Sequence, residues 1–156
     1  MNDYKFFYGG VFSQWHLSKF KIADITYNCA EQYMMYTKAI LFKDASTARK
    51  ILNASTPKEQ KMLGRRVKNF NAQNWNAVAR DVVYLGNMAK FKQNKSLLLT
   101  LLNTAPKILV EASPTDVIWG IGLTEKQAIK RDPKTWPGTN WLGLTLTKVR
   151  DDILCE

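Results

Sequence analysis

The chain has 156 residues, 46 % of them hydrophobic, and its 23 Lys and Arg outnumber 13 Asp and Glu for a formal charge of +10. That length predicts one domain with a full core, and the charge favours partners that carry phosphate. Two cysteines near opposite ends, Cys29 and Cys155, and a lone histidine, His16, exclude a disulfide framework, a Cys/His zinc site and any catalytic triad built on another histidine.

In chain order, residues 4–12 read as an aromatic strand ending near Gly9-Gly10, and residues 20–27 as a second strand. Asn28 is placed to cap a helix running to about Lys43, with Glu31 where a capping glutamate sits. Asp44 opens a helix over 45–53, and Ser55-Thr56-Pro57 gives a cap followed by a first-turn proline for a helix over 57–66. From Asn74 to Lys92, Trp75, Val78, Val82, Leu85, Met88, Ala89 and Phe91 recur as one apolar face of an amphipathic helix. A leucine-rich helix at 96–103, a strand at 107–111, a short helix at 124–129 and a final helix at 141–154 complete the pattern. The fold class expected is α+β: a single compact helix-rich domain, residues 1–156, with a small β-sheet. No apolar run reaches the ~18 residues of a membrane span, and the opening residues lack the pattern of a signal peptide. A cytoplasmic location and no membrane partner are expected.

Two loops carry the densest chemistry. Ser113-Pro114-Thr115-Asp116-Val117-Ile118-Trp119-Gly120-Ile121-Gly122 follows an apolar strand and combines a fixed acceptor, a stacking face and two glycines. Such a loop suits a nucleotide-like ligand; taken alone it more commonly describes a tight turn around a buried tryptophan. A second aromatic-glycine cluster follows, Trp136-Pro137-Gly138-Thr139-Asn140-Trp141-Leu142-Gly143. Upstream, Glu31 and Lys38 stand seven residues apart, which on a helix places both on one face with Cα atoms about 10.5 Å apart. They are too far apart for a simple ion pair, yet both reach a sugar lying across the helix. The plain alternative is a capping glutamate and a solvated lysine. His16 is read as a loop histidine.

Together with Phe12-Ser13-Gln14-Trp15 and Gly64-Arg65, and in this order, these segments resemble the NADAR superfamily, named for NAD and ADP-ribose. Its usual pattern runs F-x-S-N-F/W, E-H-Y-F-Q-A-x-K, G-R, E-A-S-P-x-D-x-x-W-G-x-G and G-x-N-W-L-G, and the likeness covers nearly the whole chain. The resemblance implies an N-glycosidase needing no cofactor and no metal. In one branch the substrate is ADP-ribosylated guanine in nucleic acid or nucleotides; in another it is a ribosyl-phosphate intermediate of riboflavin synthesis. A binding module for ADP-ribose or NAD without turnover is the third reading, and the presence of both Glu31 and Lys38 argues against it.

Mapped onto this chain, the resemblance makes Lys38 the nucleophile that attacks the ring-opened ribose and Glu31 the general acid or base. Lys38 then needs burial or a nearby cation to be neutral, and Tyr33, Trp119 and Trp141 are expected to bury it. Arg65 is assigned to a phosphate or, as a helix C-terminal arginine, to the last carbonyls; Asp116 to the ribose or to positioning a partner; Trp119 to stacking or to walling the site; and Asn140 to the base or distal ribose. Phe12 and Trp15 belong to the core or line the base pocket, and Ser13, Gly120 and Gly122 complete the expected binding surface. Gln32, Met35 and Gln14 depart from the family's histidine, glutamine and asparagine, which implies an altered substrate choice.

Overall fold

A computed structural model describes residues 3–156. Its secondary structure is helix-rich with two small sheets, in keeping with the expected α+β class. The chain forms two compact units: one of residues 14–95, the other of the N-terminal stretch to residue 13 together with 96–156.

The unit of residues 14–95 is built on a helical group. Strands β2 (Phe20–Ile22) and β3 (Ile25–Tyr27) form an antiparallel hairpin. Ala23 and Asp24 turn it with φ of 49° and 67°, so the single strand expected over 20–27 is two. Helix α1 (Ala30–Leu41) packs against α2 (Ala45–Asn53), α3 (Pro57–Gly64) and α4 (Ala72–Lys92). Local chemistry sets the helix starts. Asp44 accepts the Thr47 N–H for α2, Thr56 accepts the Glu59 N–H for α3 ahead of Pro57, and Asn71 accepts the Asn74 N–H for α4.

The start of α1 differs from expectation. Its cap is Cys29, and Gln32 Oε1, not Glu31, reaches back to the Asn28 N–H at 2.7 Å. Gln32 also gives its amide hydrogens to carbonyls at the end of α2, Ile51 O at 3.1 Å and Leu52 O at 3.2 Å. This residue therefore ties α1 to α2, and its departure from the family histidine is absorbed by the fold.

In the other unit, β1 (Tyr4–Phe7) pairs in parallel with β4 (Ile108–Glu111). The first is much shorter than the strand expected over 4–12, because the chain turns at Gly9-Gly10 into a 3-10 turn ending at Phe12. The final helix α7 (Trp141–Leu154) packs on β4 and buries Leu142, Leu146 and Val149. Arg150, 2 % exposed, donates to Thr104 and to the Lys107 carbonyl, fixing the segment that enters β4. Helix α5 (Lys95–Leu102) precedes that segment, and α6 (Glu125–Ala128) starts with a capping box of Thr124 and Gln127. Among the described residues no helix is long and apolar enough to cross a membrane.

Candidate active site

Within the unit of residues 14–95, α1 presents Glu31, Met35 and Lys38 in succession on one face, as helical spacing requires. Gly64, the last residue of α3, lies against Met35. A Cβ at that position would stand 2.1 Å from Met35 Sδ, so glycine is what allows α3 to approach the middle of this row. Arg65 follows immediately at the α3 C-cap.

Lys38 is half-buried, and its ammonium sits over the Phe70 ring at 4.6 Å and the Trp75 ring at 6.0 Å. These two rings, from the α3–α4 connection and from α4, are its aromatic surroundings. Tyr33, expected in that role, instead stacks edge-on to Tyr27 at 5.1 Å and Phe20 at 6.3 Å in the core. Burial lowers the Lys38 pKa from the usual lysine value. The Glu31 carboxylate opposes this, and the Arg65 guanidinium lowers it further. Burial and the Arg65 charge therefore both act toward the neutral amine, against the Glu31 carboxylate.

Glu31 is buried, 7 % exposed, and its backbone N–H donates to Gln14 O at 2.9 Å, which fastens the Gln14-Trp15 segment to the first turn of α1. Gln14 also accepts from Asn87 Nδ2 at 2.8 Å through its side chain. Trp15 is 43 % exposed, with the Lys61 ammonium 5.8 Å from its ring. One turn beyond Asn87 lies Lys90, fully buried at 0 % exposure, whose pKa burial pushes down to about 7. The neighbouring Cys29 thiol is pushed up to about 11 by its own burial. Asn87 and Lys90 escaped the sequence reading because the buried stripe of α4 includes Gly86, Asn87 and Lys90, whereas an apolar pattern selects Leu85, which is 53 % exposed. His16 is half-buried, with Nδ1 3.5 Å from Ser18 Oγ, and burial followed by the Lys90 charge lowers its pKa.

The remaining candidates lie in the other unit, where the two glycine-aromatic motifs are zipped together. Thr139, Trp141 and Leu142 donate backbone N–H groups to the carbonyls of Val117, Ile118 and Trp119 at 2.9–3.1 Å, and Asn140 N–H donates to Gly120 O at 3.0 Å. Asp116 Oδ1 accepts the N–H groups of Ile118 at 2.9 Å and Trp119 at 2.8 Å, so this carboxylate shapes its own loop. Trp119 and Trp141, both half-buried, meet edge-to-face at 5.5 Å. Asn140, left-handed at φ 54°, clamps β4 by accepting from Glu111 N–H at 2.9 Å and donating to Leu109 O at 3.0 Å. Gly120 leaves no room for a side chain, since a Cβ would lie 2.9 Å from Asp116 O, and Gly122 takes a φ of +75°. Phe12 is buried against Phe7 at 5.5 Å, followed by the partly exposed Ser13. A cavity of about 280 Å³ in this unit is lined by Phe7, Tyr8, Ala112, Pro114, Thr124 and Glu125, a set with no member among the sequence candidates.

A NADAR domain profile matches residues 6–154. The chain is 44 % identical to N-glycosidase R617 of Acanthamoeba polyphaga mimivirus over 97 % of its own length and 96 % of that protein. It is 40 % identical to protein irg-1 of Caenorhabditis elegans, spanning 83 % of this chain and 62 % of that one. The NMR structure of the Escherichia coli protein YbiA superposes with a TM-score of 0.81 at 28 % identity, covering 99 % of this chain and 86 % of that one. The E. coli protein is itself named an N-glycosidase. The Glu31–Lys38 row and the zipped glycine loops are thus features of a chain that belongs to the NADAR domain family.

Proposed function

We infer that this chain is an N-glycosidase, a hydrolase of N-glycosyl bonds, and we propose that it removes ADP-ribose from ADP-ribosylated guanine, with Lys38 as nucleophile and Glu31 as general acid and base. The observation that carries the reading is the Lys38 amine, held half-buried between Phe70, Trp75 and Arg65 on the helix face that also carries Glu31. A module that only recognises ADP-ribose has no use for an amine whose proton affinity is lowered in this way.

The chemistry then runs in balanced steps. Glu31 protonates the ribose ring oxygen, and the ring opens to an iminium between C1 and the guanine nitrogen. Neutral Lys38 adds to C1. The proton that the Lys38 nitrogen carries after this addition passes to the guanine nitrogen, which departs as the neutral amine and leaves a protonated Schiff base between C1 and Lys38. Water, deprotonated by Glu31, adds to C1 and expels the Lys38 amine. The freed aldehyde recloses as ADP-ribose. One water is consumed, and the guanine amine is restored. Arg65, whose charge lowers the proton affinity of Lys38, also serves a substrate phosphate.

Incubation with an ADP-ribosylated guanine substrate, followed by chromatography for the unmodified base, tests the reaction. Borohydride during turnover is expected to trap a covalent adduct on the native chain and none on Lys38→Ala. Full activity of Lys38→Ala would refute the Schiff base.

A further inference from the structure

We propose that the exposed edge of α3 and the segment after it form a track for a single-stranded polynucleotide, which passes alongside the Glu31–Lys38 row. The inference rests on the reading of the site given above and adds the surface that would hold nucleotides flanking the modified base.

Three observations carry it. Residues 56–70 contain Lys58, Lys61, Arg65, Arg66 and Lys68 against the single acid Glu59, and all five basic side chains are exposed. Lys61 and Arg65, four residues apart, bracket Gly64, where α3 meets Met35 in the middle of the α1 row. The basic edge is therefore anchored at the candidate site and is not merely somewhere on the surface. Exposed aromatic side chains accompany the charge: Trp15, 43 % exposed, lies beside Lys61, and Phe70, 45 % exposed, lies beside Lys38.

Cations spaced along an edge neutralise successive phosphates, and flat exposed rings accept the faces of unpaired bases. A duplex keeps its base faces stacked inside and would use the charge alone. Exposed aromatics among the cations therefore favour a single strand. Lys61 rests on the Trp15 ring in the free protein, and an arriving base takes that face while the ammonium turns to the adjoining phosphate.

Fluorescence anisotropy with an unmodified oligothymidylate of about twelve nucleotides tests this between about 50 and 200 mM salt. The native chain is expected to bind the single strand more tightly than a duplex of equal length. The variant Lys58→Gln/Lys61→Gln/Arg66→Gln should weaken binding at least tenfold at low salt. It should also flatten the log–log salt slope by about 2, at ~0.7 per lost phosphate contact. Arg66→Gln alone should flatten it by about 0.7. Trp15→Ala should weaken binding with the slope unchanged. Equal affinity for duplex and single strand, or identical salt slopes for native and triple-variant proteins, would overturn the track. Turnover of free ADP-ribosylated guanosine separates this from the catalytic reading. If the triple variant keeps that turnover but loses the oligonucleotide, both stand. If the oligonucleotide never binds while the nucleoside is cleaved, only the track fails. If the oligonucleotide binds as expected and no ADP-ribosylated guanine is cleaved, only the substrate assignment fails.

Discussion

Lys38 and Lys90 are two amines of lowered proton affinity in one small unit. Lys38 is half-buried with Arg65 nearby, and removing that cation should raise its pKa. If activity requires the neutral amine, Arg65→Gln is expected to move the rising limb of the pH–rate profile to higher pH. An unmoved limb would separate Arg65 from the lysine. Glu31→Gln keeps the shape and loses the proton, so a rate loss of ~10²–10⁴-fold is expected, whereas a near-native rate would leave Glu31 outside the reaction. Lys90 bears on stability. Its folded-state pKa is about 7 against 10.5 for an ordinary lysine. Below pH 7 both states hold the proton and the cost of burying the charge is fully present. Between these two values the unfolded chain holds a proton that the folded chain has released, so stability rises with pH by up to ~1.4 kcal/mol per unit. Lys90→Met should flatten that rise in denaturant titrations across the same window, and an unchanged slope would show that Lys90 is not its source.

At the scale of elements, what the sequence revealed was what local chemistry decides. Asp44 and Thr56 each cap the helix that follows, because a side-chain acceptor three residues from a free N–H needs no tertiary help. The hairpin of β2 and β3 was hidden because Ala23 and Asp24, not glycine, take its positive-φ positions. Phe70 and Trp75 were invisible as neighbours of Lys38 because helix spacing speaks only of residues within a turn or two, and these rings arrive from the α3–α4 region. The same limit hid the Asn140 clamp on β4, a contact across 31 residues. Gly64 gives the sharpest test of packing. Gly64→Ala forces Met35 aside and is expected to cost ~1–3 kcal/mol of stability by overpacking, read by chemical denaturation, with turnover reduced because Met35 lies between Glu31 and Lys38. In the other unit, Trp119→Ala distinguishes a ligand-binding residue from a packing residue. A loss of ADP-ribose affinity of ~1–3 kcal/mol at near-native melting temperature assigns Trp119 to the ligand. A loss of stability with unchanged affinity assigns it to its edge-to-face partner Trp141.

Over the whole chain, the family was legible because its motifs are strings in which glycine, tryptophan and asparagine each answer a steric or hydrogen-bonding demand, and the matching profile spans residues 6–154. The substrate was less legible, since a charge of +10 favours phosphate in any form, from a ribosyl phosphate to a nucleic acid. The measurement that bears most directly on the account offers the native chain two substrates in parallel, an oligonucleotide carrying ADP-ribosylated guanine and a ribosyl-phosphate intermediate of riboflavin synthesis, and follows by chromatography the release of ADP-ribose from the first and of the free base from the second. The account predicts ADP-ribose and the unmodified oligonucleotide from the first, a borohydride-trappable adduct on Lys38 during that turnover, and neither product nor adduct from Lys38→Ala. Cleavage of the riboflavin intermediate alone, or of the modified guanine at an undiminished rate by Lys38→Ala, would contradict it.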